Sequence, residues 1–230
     1  MTVFERIGLH RRDLRAWAFY DCANSAFHTT IITAIFPLFF ANFVAVNLEP
    51  AVATARFALA TTIAASIIAV IGPFLGAIAD YHSKKKNLLA ICVALGVVAT
   101  SLMVLIDAGE WKFAIGLFIA SNIAVGASLI FYDSLLPHIA SVDEIDQVST
   151  SGFAIGYLGG GVLLLINLAW ILSPATFGLP DVTAAIKLSF ASVAIWWLIF
   201  SIPLLRHVPE PAALPTQHSE PSQRLNALRT

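Results

Sequence analysis

Apolar residues fill this chain in six long blocks, each broken off by a short cluster of charges, prolines or glycines. The blocks are approximately Ala16–Val46, Phe57–Ala79, Asn87–Ile106, Phe113–Leu136, Phe153–Leu172 and Leu188–Leu205. A helix needs about 20 mostly apolar residues to cross a hydrocarbon layer of roughly 30 Å, and every block is close to that length or longer. Strands of a membrane barrel would alternate polar and apolar residues, and that alternation is missing, so the blocks read as helices. The pattern predicts an all-α membrane protein with six transmembrane helices. The first block is the longest and contains Pro37, so a kink, or a helix continuing beyond the lipid, is expected there.

Composition strengthens this picture. Hydrophobic residues make up 58% of the 230 and charged residues 12%, with a mean hydropathy of +0.83. Soluble domains carry about 25% charged residues. A chain of this size has too little interior to hide so much apolar surface from water, so lipid must cover part of it. A net charge of -1, with no basic stripe interleaved with aromatics, gives no reason to expect a nucleic-acid partner. Cys22 and Cys92 lie inside apolar blocks, lack any metal-binding spacing, and read as small buried hydrophobes rather than a disulfide.

The basic residues predict an orientation. Arg6, Arg11, Arg12, Arg15, Lys84, Lys85, Lys86, Arg206, Arg224 and Arg229 fall on the side of the two termini, and only Arg56, Lys112 and Lys187 on the other. The positive-inside rule then puts both termini in the cytoplasm. Residues 137–148 dissent mildly, with Asp143, Glu144 and Asp146 and no base, but acidic residues count little in that rule. The apolar stretch after the first arginines is too long for a cleaved signal and should remain as a span. The expected divisions are a cytoplasmic segment over 1–15, a six-helix domain over 16–205, and a proline-rich flexible tail over 206–230. Trp111, Trp170, Trp196 and Trp197 are placed near span ends, as interfacial anchors.

Polar groups inside a span are costly and mark cavities or helix contacts. Asp21, Asn24 and His28 follow an i, i+3, i+7 spacing, which puts them on one stripe of the first helix. At a rise of 1.5 Å per residue, Asp21 sits roughly 9 Å from one end and His28 roughly 20 Å, near mid-membrane. On the fourth helix Asn122 and Gly126 share a stripe with Asp133, and Asn122 lies level with His28. The functional reading is an aqueous cavity between spans 1 and 4, with Tyr20, Asp21, Asn24, His28 and Asn122 contacting solute and Asp21 or His28 open to a coupling proton. The competing reading is hydrogen bonding between packed helices. Gly72, Gly76 and Asp80 precede Lys84 in the turn between spans 2 and 3. They read as a gate, with Asp80 against a helix N-terminus and Lys84 against Asp133. Gly152, Gly156 and Gly160 mark a close-packing face, and the run Gly159-Gly160-Gly161 a point where the helix can bend.

The stretch from Gly76 to Lys86 resembles the loop between helices 2 and 3 of the major facilitator superfamily. Trp17-Ala18-Phe19-Tyr20-Asp21-Cys22-Ala23-Asn24-Ser25-Ala26-Phe27 is similar to the opening of its autophagy-related vacuolar effluxer-like branch, also called the unknown major facilitator family. Phe131-Tyr132-Asp133-Ser134-Leu135-Leu136-Pro137, the segment Ser151–Gly160, and Trp196-Trp197 running to Pro203 fit the same branch, so the resemblance covers about residues 14–210. Two departures matter. Tyr157 stands where antiporters of the superfamily carry a proline, so antiport is not carried over. Members also have twelve helices in two halves, whereas six are found here.

The resemblance implies one half of a major facilitator fold. A second half, on another copy of the chain or separately encoded, would complete the cavity. It implies secondary transport of a small-molecule solute, with amino acids the leading substrate class, in the cell membrane and in contact with lipid. No nucleotide-binding loop is present, and no cofactor is implied. A non-transporting membrane scaffold remains the alternative. An enzyme is disfavoured, since neither H-E-x-x-H nor G-x-S-x-G occurs.

Overall fold

The computed structural model describes residues 2–211 apart from Ser83, and leaves the side chains of residues 80–82 undescribed. Six long helices form: α1 (Arg12–Val44), α2 (Pro50–His82), α3 (Lys85–Leu102), α4 (Trp111–Ile139), α5 (Ile145–Leu172) and α6 (Val182–His207). Each is long and apolar enough to cross a bilayer. A short turn, Val3–Arg6, precedes them, closed by a reciprocal cap in which Thr2 Oγ1 accepts from the Glu5 N–H and Glu5 accepts from the Thr2 N–H.

Each predicted block corresponds to one observed helix, although the first and third blocks overrun theirs, which end at Val44 and Leu102, and the other helices are longer than their blocks. Helix α5 starts at Ile145 rather than Phe153, and α6 at Val182 rather than Leu188. The extra turns mix polar and apolar residues, and hydropathy registers contact with lipid rather than helicity. The start of α6 is fixed by Asp181, whose Oδ1 accepts from the Ala184 N–H at 2.7 Å. The expected tail boundary at Leu205 also moves. Helix α6 runs on through His207, and Glu210 Oε2 then accepts from the Lys86 N–H at 3.1 Å, placing a carboxylate at the N-terminus of α3. The rest of the expected tail, from residue 212, lies outside the described residues.

Helix α1 is the structural axis. It packs along α5 and α6; α4 packs on α2 and α3; and α3 against α6 joins the two groups. The far end, away from the termini, has an aromatic core in which Phe36 stacks on Phe118 at 5.0 Å and lies 5.9 Å from Phe190. At the terminal end Trp17 stacks on Tyr132 at 4.4 Å and donates through Nε1 to the Tyr132 carbonyl, tying α1 to α4.

Pro37 leaves a specific mark on α1. Having no N–H, it cannot bond the Thr33 carbonyl, and its ring crowds that carbonyl. The helix accommodates this with widened π turns at His28–Ala34 and Phe40–Val44, on either side of the short α segment Ile35–Phe39.

Glycines set the closest helix approaches. Along α5, Gly152 receives the Trp17 ring, Gly156 the Asp21 carboxylate and Ser25 hydroxyl, and Gly160 the Ser25 backbone. A reciprocal pair joins α2 to α4, where Ile68 sits on Gly126 and Ile130 on Gly72. Gly76, expected to make a close contact, faces open space, as does Gly161, and α5 stays helical through its glycine run. Two of the expected tryptophan anchors are interior residues. Trp197 is fully buried, and Trp196 donates to the Cys22 carbonyl at 3.1 Å from mid-α6. Cys22 and Cys92 are free thiols.

The loop between α4 and α5 is fastened to the N-terminal segment. Arg11 donates to the Ile139 carbonyl, and Glu144 lies 4.0 Å from the Arg11 guanidinium and 3.9 Å from His10. The Ser141 N–H, donating to Glu144 Oε1 at 2.9 Å, together with these bases, holds the Glu144 carboxyl below the usual carboxylate range.

Candidate functional site

The stripe expected on the first helix borders a groove of about 240 Å³. Helix α1 contributes Asp21, Asn24, Ser25, His28 and Thr29; α4 contributes Leu129; and α5 contributes Phe153 and Tyr157. Asp21 is 5% exposed and Asn24 2%, so both polar groups are withdrawn from bulk surroundings. Asp21 Oδ2 and both amide atoms of Asn24 make no hydrogen bond with any described residue. Buried polar atoms are nearly always partnered, so three unused valences on one groove wall are a chemical feature in themselves.

Neighbouring groups are already committed. His28 Nδ1 lies 2.9 Å from the Asn24 carbonyl, which can only accept, so Nδ1 carries a proton and donates there. Thr29 Oγ1 donates to the Ser25 carbonyl at 2.9 Å and approaches the Gly160 carbonyl at 3.4 Å. These contacts fall where the π turns begin, so the carbonyls loosened by the wide turn are engaged by the side chains of the groove itself. No Lys or Arg lines the groove. Asp133, four residues beyond Leu129 on the same stripe of α4, is exposed and adds a second carboxylate on that face.

Other expected residues are placed differently. Tyr20 is fully enclosed, with its ring 4.9 Å from Tyr132, and does not reach the groove. Asn122 donates to the Phe118 carbonyl of its own helix at 2.8 Å and is not part of the groove wall. Equal depth along two helices did not mean a shared face. Lys84 is exposed, and no ion pair between it and Asp133 forms among the described residues. The base that reaches α4 is Lys85, 4% exposed, whose Nζ donates to the Ser134 carbonyl at 3.3 Å and lies 3.0 Å from His138 Nε2. Asp80's side chain lies outside the described residues, so its gating role is not addressed by this geometry.

The two lysines therefore predict unequal effects. Methionine at Lys85 should lower thermal stability in detergent, at a cost of about 1–3 kcal/mol, by removing the contacts of its buried ammonium with the Ser134 carbonyl and His138. Methionine at Lys84 should change it by less than about 0.5 kcal/mol. Equal melting shifts for the two would contradict this placement.

The groove also shows what spacing on one helix could not reveal. Phe153 and Tyr157 join the site only because α5 packs beside α1. Tyr157 had a signal of its own, since it occupies the position where antiporters of the superfamily carry proline. Ser25 and Thr29 extend the Asp21 stripe by i+4 steps and were legible in principle.

Comparison with known proteins agrees with this architecture. The family model described as vacuole effluxer Atg22 like matches residues 44–145 and 140–228. An uncharacterized MFS-type transporter, YxiO, of Bacillus subtilis (strain 168) is 35% identical over 195 residues, covering 84% of this chain and 46% of that protein. Autophagy-related protein 22 of Eremothecium gossypii is 27% identical over 135 residues, covering 53% of this chain and 25% of that protein. The chain thus spans about half or less of the length of these curated relatives. No solved structure matches. On the extent of the family match and the six-helix architecture, this chain belongs to the vacuole effluxer Atg22-like family.

Proposed function

We infer that this chain is one half of a secondary active transporter, moving a small polar solute by alternating access around α1. The observation that carries this reading is the groove of Asp21 and Asn24, whose buried polar atoms have no partner within the described chain. Such atoms are stabilised by a solute or water that comes and goes. The relatives' names point to transport as well, one being an MFS-type transporter and the family being described as effluxers.

A second six-helix half closes the groove, on another copy of this chain or on a separate polypeptide. Helices α2 and α5 support this. Only 11% of the most apolar window of α2 and 22% of that of α5 are buried, against 44% for α1. Both expose large apolar side chains, among them Leu59, Val70 and Phe74 on α2 and Leu158, Leu165 and Leu172 on α5, as a surface meeting lipid or a companion half would. Amino acids are the proposed substrate class, both termini lie in the cytoplasm, and the cell membrane is the proposed location. Asp80 and the basic turn after it act as the gate, with transport driven by a gradient.

The test is counterflow in liposomes holding the purified protein with its companion half, screened with amino acids and other small polar solutes. Saturable exchange of at least one solute is expected. Alanine at His28 should weaken apparent affinity several-fold or shift its pH dependence. Tight solute binding without exchange would favour a receptor or scaffold instead, and a His28→Ala protein with unaltered affinity and pH profile would return His28 to a packing role.

A further inference from the structure

The chemistry of the groove is one-sided, and this gives the solute a sign. Its unused atoms are Asp21 Oδ2 and the two amide atoms of Asn24, on side chains 95% or more withdrawn from the surface. The only histidine, lysine or arginine on its wall is His28, whose Nδ1 is already engaged by the Asn24 carbonyl. The Asn24 amide, Ser25 and Tyr157 also carry donors, but the one acidic group on the wall is Asp21 and no lysine or arginine balances it. Asp133, on the α4 stripe beside Leu129, has the same sign. Lys85 of α3, the base that reaches α4, is turned to the Ser134 carbonyl and His138 and does not line the groove. An anionic group here would meet carboxylates without a compensating cation, which is costly in a site withdrawn from water.

Two aromatic side chains complete the wall. Phe153 and Tyr157 lie one turn apart on α5 and are 56% and 71% exposed, so their rings are not consumed by packing within this half. An aromatic face attracts a cation through its quadrupole, most strongly where water is scarce. A buried carboxylate, an amide oxygen and free aromatic rings together suit a positively charged nitrogen carrying several N–H donors.

The geometry points to recognition of an organic ammonium group at this groove, with Asp21 and Asn24 taking the N–H donors and Tyr157 covering the charge. This rests on the transport reading above and narrows it, since the solute is one whose ammonium end is held by this half whatever its remaining groups are. Charge-assisted bonds to a withdrawn carboxylate are among the stronger polar contacts, so Asp21 is the dominant residue and Tyr157 a smaller contributor.

The test is binding rather than flux, so that the two readings fail separately. The probes are alaninamide, which has an ammonium and no carboxylate, N-acetylalanine, which has the reverse, and N-acetylalaninamide, which has neither. Each is titrated against the full-length protein in nanodiscs, following thermal stabilisation and calorimetric heat. Alaninamide should bind at least tenfold tighter than the other two, asparagine at Asp21 should remove that preference, and alanine at Tyr157 should weaken it several-fold. If Asp21→Asn fails to fold, the exposed Tyr157→Ala variant decides. Equal or absent binding of the three probes, preference for N-acetylalanine, or full alaninamide affinity in Tyr157→Ala would overturn the inference. Selective alaninamide binding without exchange of any solute in liposomes would uphold the site and defeat the carrier reading.

Discussion

Alanine at Gly160 should be among the most damaging single-methyl additions in this protein. A Cβ at that position would stand 2.8 Å from the Ser25 carbonyl carbon, 2.9 Å from its oxygen and 3.0 Å from the Ala26 nitrogen. All three are backbone atoms of α1, so no rotamer change relieves the contact, and the two helices must move apart along their whole seam. Overpacking of this kind costs about 1–3 kcal/mol, and the upper part of that range applies where the obstacle is main chain. Between membrane helices the loss falls directly on van der Waals packing, since lipid offers no hydrophobic compensation. The neighbouring Gly161 is the control. Nothing lies within 4 Å of a Cβ there, and alanine should be neutral or stabilising by up to about 1 kcal/mol through helix propensity. Melting curves of the two variants in the same detergent check this. Comparable unfolding temperatures would mean that α1 and α5 are further apart than described.

Truncating Trp197 is expected to be costlier still. It is fully buried, with its ring 5.3 Å from Phe27 and its outer edge pressed onto Gly96 of α3. Removing so large an interior ring costs about 3–5 kcal/mol, enough to prevent recovery of folded protein if total stability is of the usual size. Phenylalanine at 197 should be tolerated better. The Gly96 contact supplies a sharper check by double-mutant cycle. Alanine at Gly96 should destabilise the native protein strongly, because its Cβ would coincide with the indole edge, and much less in the Trp197→Phe background. A coupling of about 1–3 kcal/mol is expected for residues in direct contact. Additive effects would separate the two positions.

Trp197 also shows where sequence reasoning reaches its limit. Tryptophan is common at membrane interfaces, and Trp196-Trp197 was read that way although the pair stands at the middle of its apolar block. In the helix the pair is again near the middle, with Trp197 buried among its neighbours. The glycine that receives the indole lies on α3, and no local pattern links the two. The six spans themselves were legible because lipid exposure writes hydrophobicity directly into the chain. The first turns of α5 and α6 were not, since their mixture of polar and apolar residues does not stand out by hydropathy.

The groove divides along the same line. Asp21, Asn24 and His28 were found because helical periodicity alone puts them on one face. Asn122 was joined to them by depth, which periodicity does supply, and by facing, which it does not; its amide turns back to its own helix. Phe153 and Tyr157 depend on which helix lies beside α1, a fact of tertiary packing. The displacement of the buried base from Lys84 to Lys85 has a comparable origin. A helix start misplaced by one residue turns a side chain by about 100°, enough to exchange an exposed lysine for a buried one.

The wide turns of α1 have a mechanical consequence. A π segment holds more residues per turn than an α segment of equal length, so α1 stores surplus chain at His28–Ala34, immediately beyond the groove. Phe36 and its aromatic neighbours hold the helix on the distal side of that surplus, and the Trp17–Tyr132 stack holds it on the proximal side. Winding the segment tighter would swivel His28 and Thr29 about the axis while both moorings stay in place. The slack gives the groove-lining stretch a private degree of freedom, which a straight α-helix in the same position would deny it.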